Sequence, residues 1–186
     1  MTILGISGSL RRDSYNTGLL RAAAEAAAPG IDFELYEGLK ELPPYDEDDD
    51  VTPRPAPVAR LNEAIADADA VLFVTPEYNS SIPGQLKNAI DWISRPVATN
   101  VLRNKPVAVI GASTGMFGAV WAQAELRKVL GSLGARVLDL EVPVPQAHTR
   151  FEDGRLTDDE LRLRLRDVVE ALAEEARERT RLEVAA

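Results

Sequence analysis

Five short apolar runs alternate along this chain with five helical patterns, and that alternation leaves few folds open. The runs are TILGI (2–6), Ile31-Phe33-Leu35 with charged residues between, AVLFV (70–74), VAVIG (107–111) and VLDLEV (137–142). After the first run, a helix from Ser14 places Leu19, Leu20, Ala23 and Ala27 on one face. The next carries Val58, Leu61 and Ile65, and a third, starting near Pro83, turns Leu86, Ile90 and Ile93 inward. A fourth from about Gly118 offers Val120, Ala124, Leu126 and Leu130. Thr157 with Glu160 forms a capping box that opens the last, whose inner face is Leu161, Leu165, Val168, Leu172 and Ala176. Runs that are apolar throughout, rather than alternating, suit strands buried on both faces. Strands alternating with helices argue for a parallel sheet covered on both sides. There is no internal repeat, linker or low-complexity tract, so one domain over 1–186 is expected.

Composition excludes several functions. The chain carries a formal charge of −9, which disfavours nonspecific nucleic-acid binding. Cysteine is absent and His148 is the only histidine, excluding thiolate and multi-histidine metal sites and a cysteine nucleophile. No metal site is expected, and the DEDDD run at 46–50 reads as a solvated acidic loop. No run is long enough to span a membrane, and MTILGISG lacks the features of a leader, so no membrane partner and a cytoplasmic location are expected. The proline- and acid-rich stretch 38–57 is long for a loop and therefore expected to be functional or mobile.

Three loops carry the chemistry. The first, GSLRRDSYN (8–16), joins the first strand to the first helix. In an open parallel sheet, ligands bind beyond the carboxyl ends of the strands, where strand order reverses. Ser9, Ser14 and Asn16 offer donors there, Gly8 lets the backbone approach a ligand, and Arg11 adds a planar fork suited to phosphate. The helix N-terminus favours an anion, so the expected guest is a phosphate monoester. Neither the P-loop nor the G-x-G-x-x-G spacing is present. The stretch also reads as a polar loop in which Ser14 caps the helix.

After the third strand comes TPEYNSSIPG (75–84), where Glu77, Tyr78 and Asn79 suit a flat heteroaromatic ring; a capped turn with a surface tyrosine is the other reading. After the fourth comes GASTGMFG (111–118), where Ser113 and Thr114 supply donors and Gly115 and Gly118 allow close approach; a glycine turn is its other reading. In a flavodoxin-like α/β three-layer sandwich with strand order 2-1-3-4-5, strands one, three and four are neighbours, so these loops line one cleft. A phosphate cradle beside a slot for a planar ring matches riboflavin phosphate, FMN.

GSLRRDSYN, TPEYNSSIPGQLKNAIDWISRP and ASTGMFG resemble the NADPH-dependent FMN reductase family, which includes quinone and chromate reductases. The resemblance implies that Ser9, Arg11, Ser14, Tyr15 (through its amide) and Asn16 hold the FMN phosphate. It implies that Pro76, Glu77, Tyr78 and Asn79 border the isoalloxazine, with Ser113 and Gly115 closing the other side. It also implies hydride transfer from NADPH or NADH through FMN to a quinone or similar small acceptor, and a homodimer or homotetramer. No side chain is expected to act as a nucleophile or metal ligand, and none is taken as catalytic. Gly118-Ala119 departs from the paired glycines common in the third loop. The alternative is a flavodoxin-type electron carrier, but the T-x-T-G-x-T loop of carriers is absent.

Overall fold

The computed structural model describes residues 1–184. Five parallel strands, β1 (Thr2–Ser7), β2 (Asp32–Tyr36), β3 (Ala70–Thr75), β4 (Pro106–Ala112) and β5 (Arg136–Val137), form a sheet of order β2-β1-β3-β4-β5. The helices are α1 (Tyr15–Glu25), α2 (Ala56–Asp67), α3 (Gly84–Ile93), α4 (Val120–Ser132) and α5 (Asp159–Val184). The expected three-layer flavodoxin-like sandwich is therefore the observed one.

Side-chain alternation along the central strands builds two separate cores. Ile3, Leu72, Val74, Ala108 and Ile110 pack with α1 and α5. Leu4, Ile6, Val71, Phe73, Val107 and Val109 pack with α2, α3 and α4. Both faces of β1, β3 and β4 are thus covered, which explains their unbroken apolar composition. Each fully buried Leu, Ile or Phe side chain contributes about 1.5–3 kcal/mol relative to exposure.

Several expectations change in detail. The fifth strand does not run through 137–142. Val137 ends β5, and pairing with β4 resumes only at β6 (Pro143–Val144). The break is supported from outside the sheet, where the Arg127 guanidinium donates to the Leu140 carbonyl at 2.7 Å. In α4 the inward residues are Ala122, Gln123, Leu126 and Leu130, whereas Ala124 is exposed. The helix begins later than expected because Gly118 and Ala119 both take left-handed conformations, with φ of 60° and 61°. An Asp153-Gly154 turn, with φ of 48° and 76°, closes a hairpin of β7 (Phe151–Glu152) and β8 (Arg155–Leu156). The Asp-Gly pair is its sequence signal.

The 38–57 stretch is pinned to α3. Gln85 donates to the carbonyls of Leu39 and Leu42, Asn88 donates to Pro43 and accepts from Tyr45 N, and Trp92 Nε1 donates to Pro43 at 2.9 Å. Leu39 and Leu42 are buried, and Tyr45 meets Trp92 edge-on with centroids 5.0 Å apart. These contacts explain why α3 carries polar residues on the side that faces the loop.

Asp158, not Thr157, caps α5. Its Oδ1 accepts from Leu161 N at 2.9 Å, while the Thr157 hydroxyl donates to the Arg150 carbonyl. The Leu161 amide above all, helped by Arg150, holds the Asp158 carboxyl below its usual range against the opposing effect of burial. A depressed carboxylate contributes stability above its unfolded value, and that stability is lost as pH falls through the folded value. Asp158→Ala should therefore cost about 1 kcal/mol in urea melts at neutral pH. The gap from wild type should close below about pH 4, and a gap unchanged in acid would contradict the assignment.

Candidate cofactor site

The carboxyl ends of β1, β3 and β4 lie side by side, with Ser7 opposite Val74 and Thr75 opposite Gly111. The loops that follow them meet around a cleft of about 190 Å³. Ser9, Arg11, Ser14, Tyr15 and Asn16 line one side, with Pro76, Glu77, Tyr78 and residues 112–114 around the rest. Two expected residues stand outside this lining. Asn79 occupies a hairpin tip, and Gly115 lies one residue beyond the lining segment.

Ser14 stands where the cleft meets the helix. It caps α1, its Oγ accepting from the amides of Asn16 and Thr17. Those bonds use the oxygen as acceptor and leave the hydroxyl hydrogen to donate to a ligand. Among the described residues, the Tyr15 amide has no acceptor within the protein, as befits the first turn of a helix. Arg11 is in no ion pair among the described residues; its guanidinium lies 5.4 Å from the Tyr15 ring centroid. Free donors, a helix N-terminus and an uncompensated guanidinium fit a phosphate.

Asn16 does more than line the cleft. The residue is 4% exposed, and its side chain pairs with both backbone groups of Ala112, donating to the carbonyl at 2.9 Å and accepting from the amide at 2.9 Å. This bond crosses β3 to tie α1 to the end of β4. One amide hydrogen of Asn16 is left over for a ligand. Because Ala112 takes part through its backbone, its sequence carries no signal of the bond.

The second loop is a tight hairpin. Tyr78 and Ser81 exchange backbone hydrogen bonds of 3.0 and 3.1 Å around Asn79 and Ser80, whose φ are 53° and 60°. Both central residues are left-handed, as a type I′ turn requires. Tyr78 is held at the cleft and half-exposed. The Glu77 carboxylate lies against α4, accepting from Trp121 N and Ala122 N at 3.0 and 3.1 Å. It caps a helix whose own N-terminal residue, Ala119, has no side chain to do so. Ser81 adds a 2.6 Å bond to Glu125.

The glycines divide by function. A Cβ on Gly8 would lie 2.8 Å from a Leu86 methyl, so the absence of a side chain there also lets α3 pack against the loop. A Cβ on Gly118 would lie 2.5 Å from the Val144 amide, which makes that position a packing requirement. A Cβ on Gly115 would meet Ser113 Oγ at 3.7 Å, an ordinary contact. In the third loop, Ser113 exchanges backbone bonds with Val144 and Ala147, while the amides of Thr114 and Gly115 have no protein acceptor among the described residues.

Free donors at a helix N-terminus and two further loops converging on the same cleft fit an α/β protein that binds flavin mononucleotide. Residues 1–149 match the family described as NADPH-dependent FMN reductase. The chain is 44% identical over 172 residues to an NAD(P)H-dependent FMN reductase of Pseudomonas aeruginosa, covering 91% of this chain and 92% of that protein. It is 39% identical over 156 residues to a 2-hydroxy-1,4-benzoquinone reductase of a Burkholderia species, covering 84% and 82%. The solved structure of FerB, a flavoenzyme NAD(P)H:(acceptor) oxidoreductase of Paracoccus denitrificans, matches with a TM-score of 0.84 at 37% identity, covering 96% and 98%. The chain belongs to the NADPH-dependent FMN reductase family: it is an oxidoreductase that uses FMN and NAD(P)H.

Asn16→Ala should strand the buried amide and carbonyl of Ala112. An unsatisfied buried polar group costs about 1–3 kcal/mol. Chemical denaturation should register that loss, and a variant as stable as wild type would remove the tie from the account.

Proposed function

We propose that this enzyme passes reducing equivalents from a nicotinamide nucleotide through FMN to a quinone or similar small acceptor. The observation that carries the reading is the convergence of the three loops on one cleft beside the N-terminus of α1. Ser9, Arg11, Ser14, the Tyr15 amide and the spare amide hydrogen of Asn16 hold the phosphate. Pro76, Glu77, Tyr78, Asn79, Ser113 and Gly115 border the ring, with Asn79 and Gly115 at its rim. When bound, FMN supplies the hydride chemistry. The chain contributes position and electrostatics: its free amides at Thr114 and Gly115 favour negative charge at the ring edge. The family-named relatives that reduce quinones support the choice of acceptor.

The same reading takes the chain as one domain, cytoplasmic and self-associating as a homodimer or homotetramer. Among the described residues no helix is long and apolar enough to cross a membrane. Met116 and Phe117 are more than half exposed, and Phe117 stacks edge-on against the half-exposed Trp121. They continue into a cleft of about 440 Å³ with Pro143, Pro145 and Leu161. Apolar surface gathered beside a binding cleft suits cover by a second copy.

Arg11→Ala should weaken FMN binding roughly tenfold or more, since a charge-assisted hydrogen bond is worth about 1.5–3 kcal/mol. Titration followed by flavin fluorescence measures this, and undiminished affinity would count against the phosphate role. The purified flavoprotein should oxidise NADPH or NADH with a quinone and no helper protein. A protein that binds FMN yet turns over neither nucleotide would favour an electron carrier.

A further inference from the structure

The loop after β4 is fastened along its length by hydrogen bonds. Asn16 holds Ala112, Val144 and Ala147 bond Ser113, and the Gln146 amide donates to the Gly115 carbonyl at 2.9 Å. Met116 and Phe117 are more than half exposed, so burial of their side chains anchors little. At the far end of the loop, Gln123 of α4 donates from Nε2 to the Gly118 carbonyl at 2.9 Å. Gln123 is 1% exposed and packs over Gly111, where a Cβ would lie 3.3 Å from its Cγ. It does not line the cofactor cleft. The other half of its amide is stranded: Oε1 is cut off from solvent and has no hydrogen-bond partner. Turning the amide over gives no relief, because an oxygen would then face the Gly118 carbonyl, which can only accept. A buried acceptor without a donor is unfavourable, and an apolar side chain of similar length would avoid it. What an apolar side chain lacks is the donor.

We propose that Gln123 is a positioning residue of the flavin site: through the Gly118 carbonyl it holds the 113–118 loop so that the free amides of Thr114 and Gly115 face the ring edge. The inference rests on the FMN reading of the cleft. Gly118 and Ala119 have φ of 60° and 61°, a left-handed conformation that is unfavourable for alanine. The peptide that joins these two residues is the one whose carbonyl Gln123 holds. Without that clamp, Ala119 is free to relax toward the right-handed region, and the loop before it turns with the peptide. Donors aimed at the ring edge stabilise negative charge there. Reduction adds negative charge to the ring, so the aim of these amides matters more to reduced than to oxidised FMN.

Two variants and two measurements test this. Gln123→Met keeps the length and bulk of the side chain and removes the donor. Gln123→Glu keeps a donor as the carboxylic acid, which burial holds protonated at about pH 6. In the first measurement, hydrogen exchange is followed on the full-length chain with and without saturating FMN. Exchange at 113–118 should run about tenfold faster in Gln123→Met than in wild type, as expected for one lost hydrogen bond, with β1 and β3 unchanged. In the second, oxidised and dithionite-reduced FMN are titrated calorimetrically without oxygen. Gln123→Met should lose about tenfold more affinity for the reduced form than for the oxidised, which lowers the midpoint potential of bound FMN by about 30 mV. Gln123→Glu should match wild type in both measurements at about pH 6. Faster exchange throughout the sheet would make Gln123 a residue of general stability and overturn the proposal. Equal losses for the two forms of FMN would also overturn it, as would a Gln123→Glu protein as impaired as Gln123→Met. Wild type that bound no FMN would contradict the proposed function; a loop still loosened by Gln123→Met in that protein would leave the clamp supported.

Discussion

The paired hydrogen bonds between Asn16 and Ala112 set the geometry on which the site depends. β1 and β4 are not neighbours, because β3 lies between them. Sheet hydrogen bonding therefore fixes each strand but leaves the loops beyond their ends free to splay. A side-chain amide offers the same donor and acceptor as a peptide group, so Asn16 acts as one residue of an extra strand laid over the end of β3. Its burial makes the arrangement nearly all-or-none, since breaking it strands polar groups away from water. The distance between the 8–16 and 111–118 loops is thereby fixed before a ligand arrives, which lowers the entropy cost of binding there.

Glu77 completes the frame. Its carboxylate joins the hairpin after β3 to the first turn of α4, in a position where the helix dipole favours negative charge. Ser81 and Glu125 repeat the connection farther along the helix. Two polar ties, one across the sheet and one into the flanking helix layer, thus unite the three loops. The apolar cores beneath determine where the strands run, and these ties determine how the strand ends face one another. This division of labour explains why residues that look like ligands in a linear reading also hold the scaffold.

Much of this was legible in the sequence because apolar periodicity reports burial directly. The runs at 70–74 and 107–111 appear as strands in place, and the inward face of α5 is the one its leucines and valines marked. The 8–16 loop stands out in the sequence for a different reason: Ser14, Arg11 and Asn16 are polar specialists, and the structure gathers them at one cleft. What stayed hidden involves backbone partners. Nothing in Ala112 announces a bond to Asn16, and Glu77 reads as a cleft residue until α4 is in place. In α4, Leu126 and Leu130 face inward as their spacing implies, while Ala122 and Gln123 replace Val120 and Ala124 at a start delayed by two left-handed residues, one of them an alanine. The run 137–142 has strand composition, but only Val137 lies in a strand; pairing with β4 resumes at Pro143, and Arg127 of α4 bonds the Leu140 carbonyl between them. The 38–57 stretch looked loose because its fastenings lie on α3, in Gln85, Asn88 and Trp92.

One cleft, held by the Asn16–Ala112 pair, is proposed to seat FMN. A crystal structure of the FMN-saturated enzyme tests it most directly. The account predicts the phosphate within hydrogen-bonding distance of Arg11 and the Tyr15 amide, and the ring between residues 76–79 and 113–115. It also predicts that the Asn16 amide still pairs with both backbone groups of Ala112. A flavin seated elsewhere, or an Asn16 side chain that has left Ala112 to reach the phosphate, would contradict it.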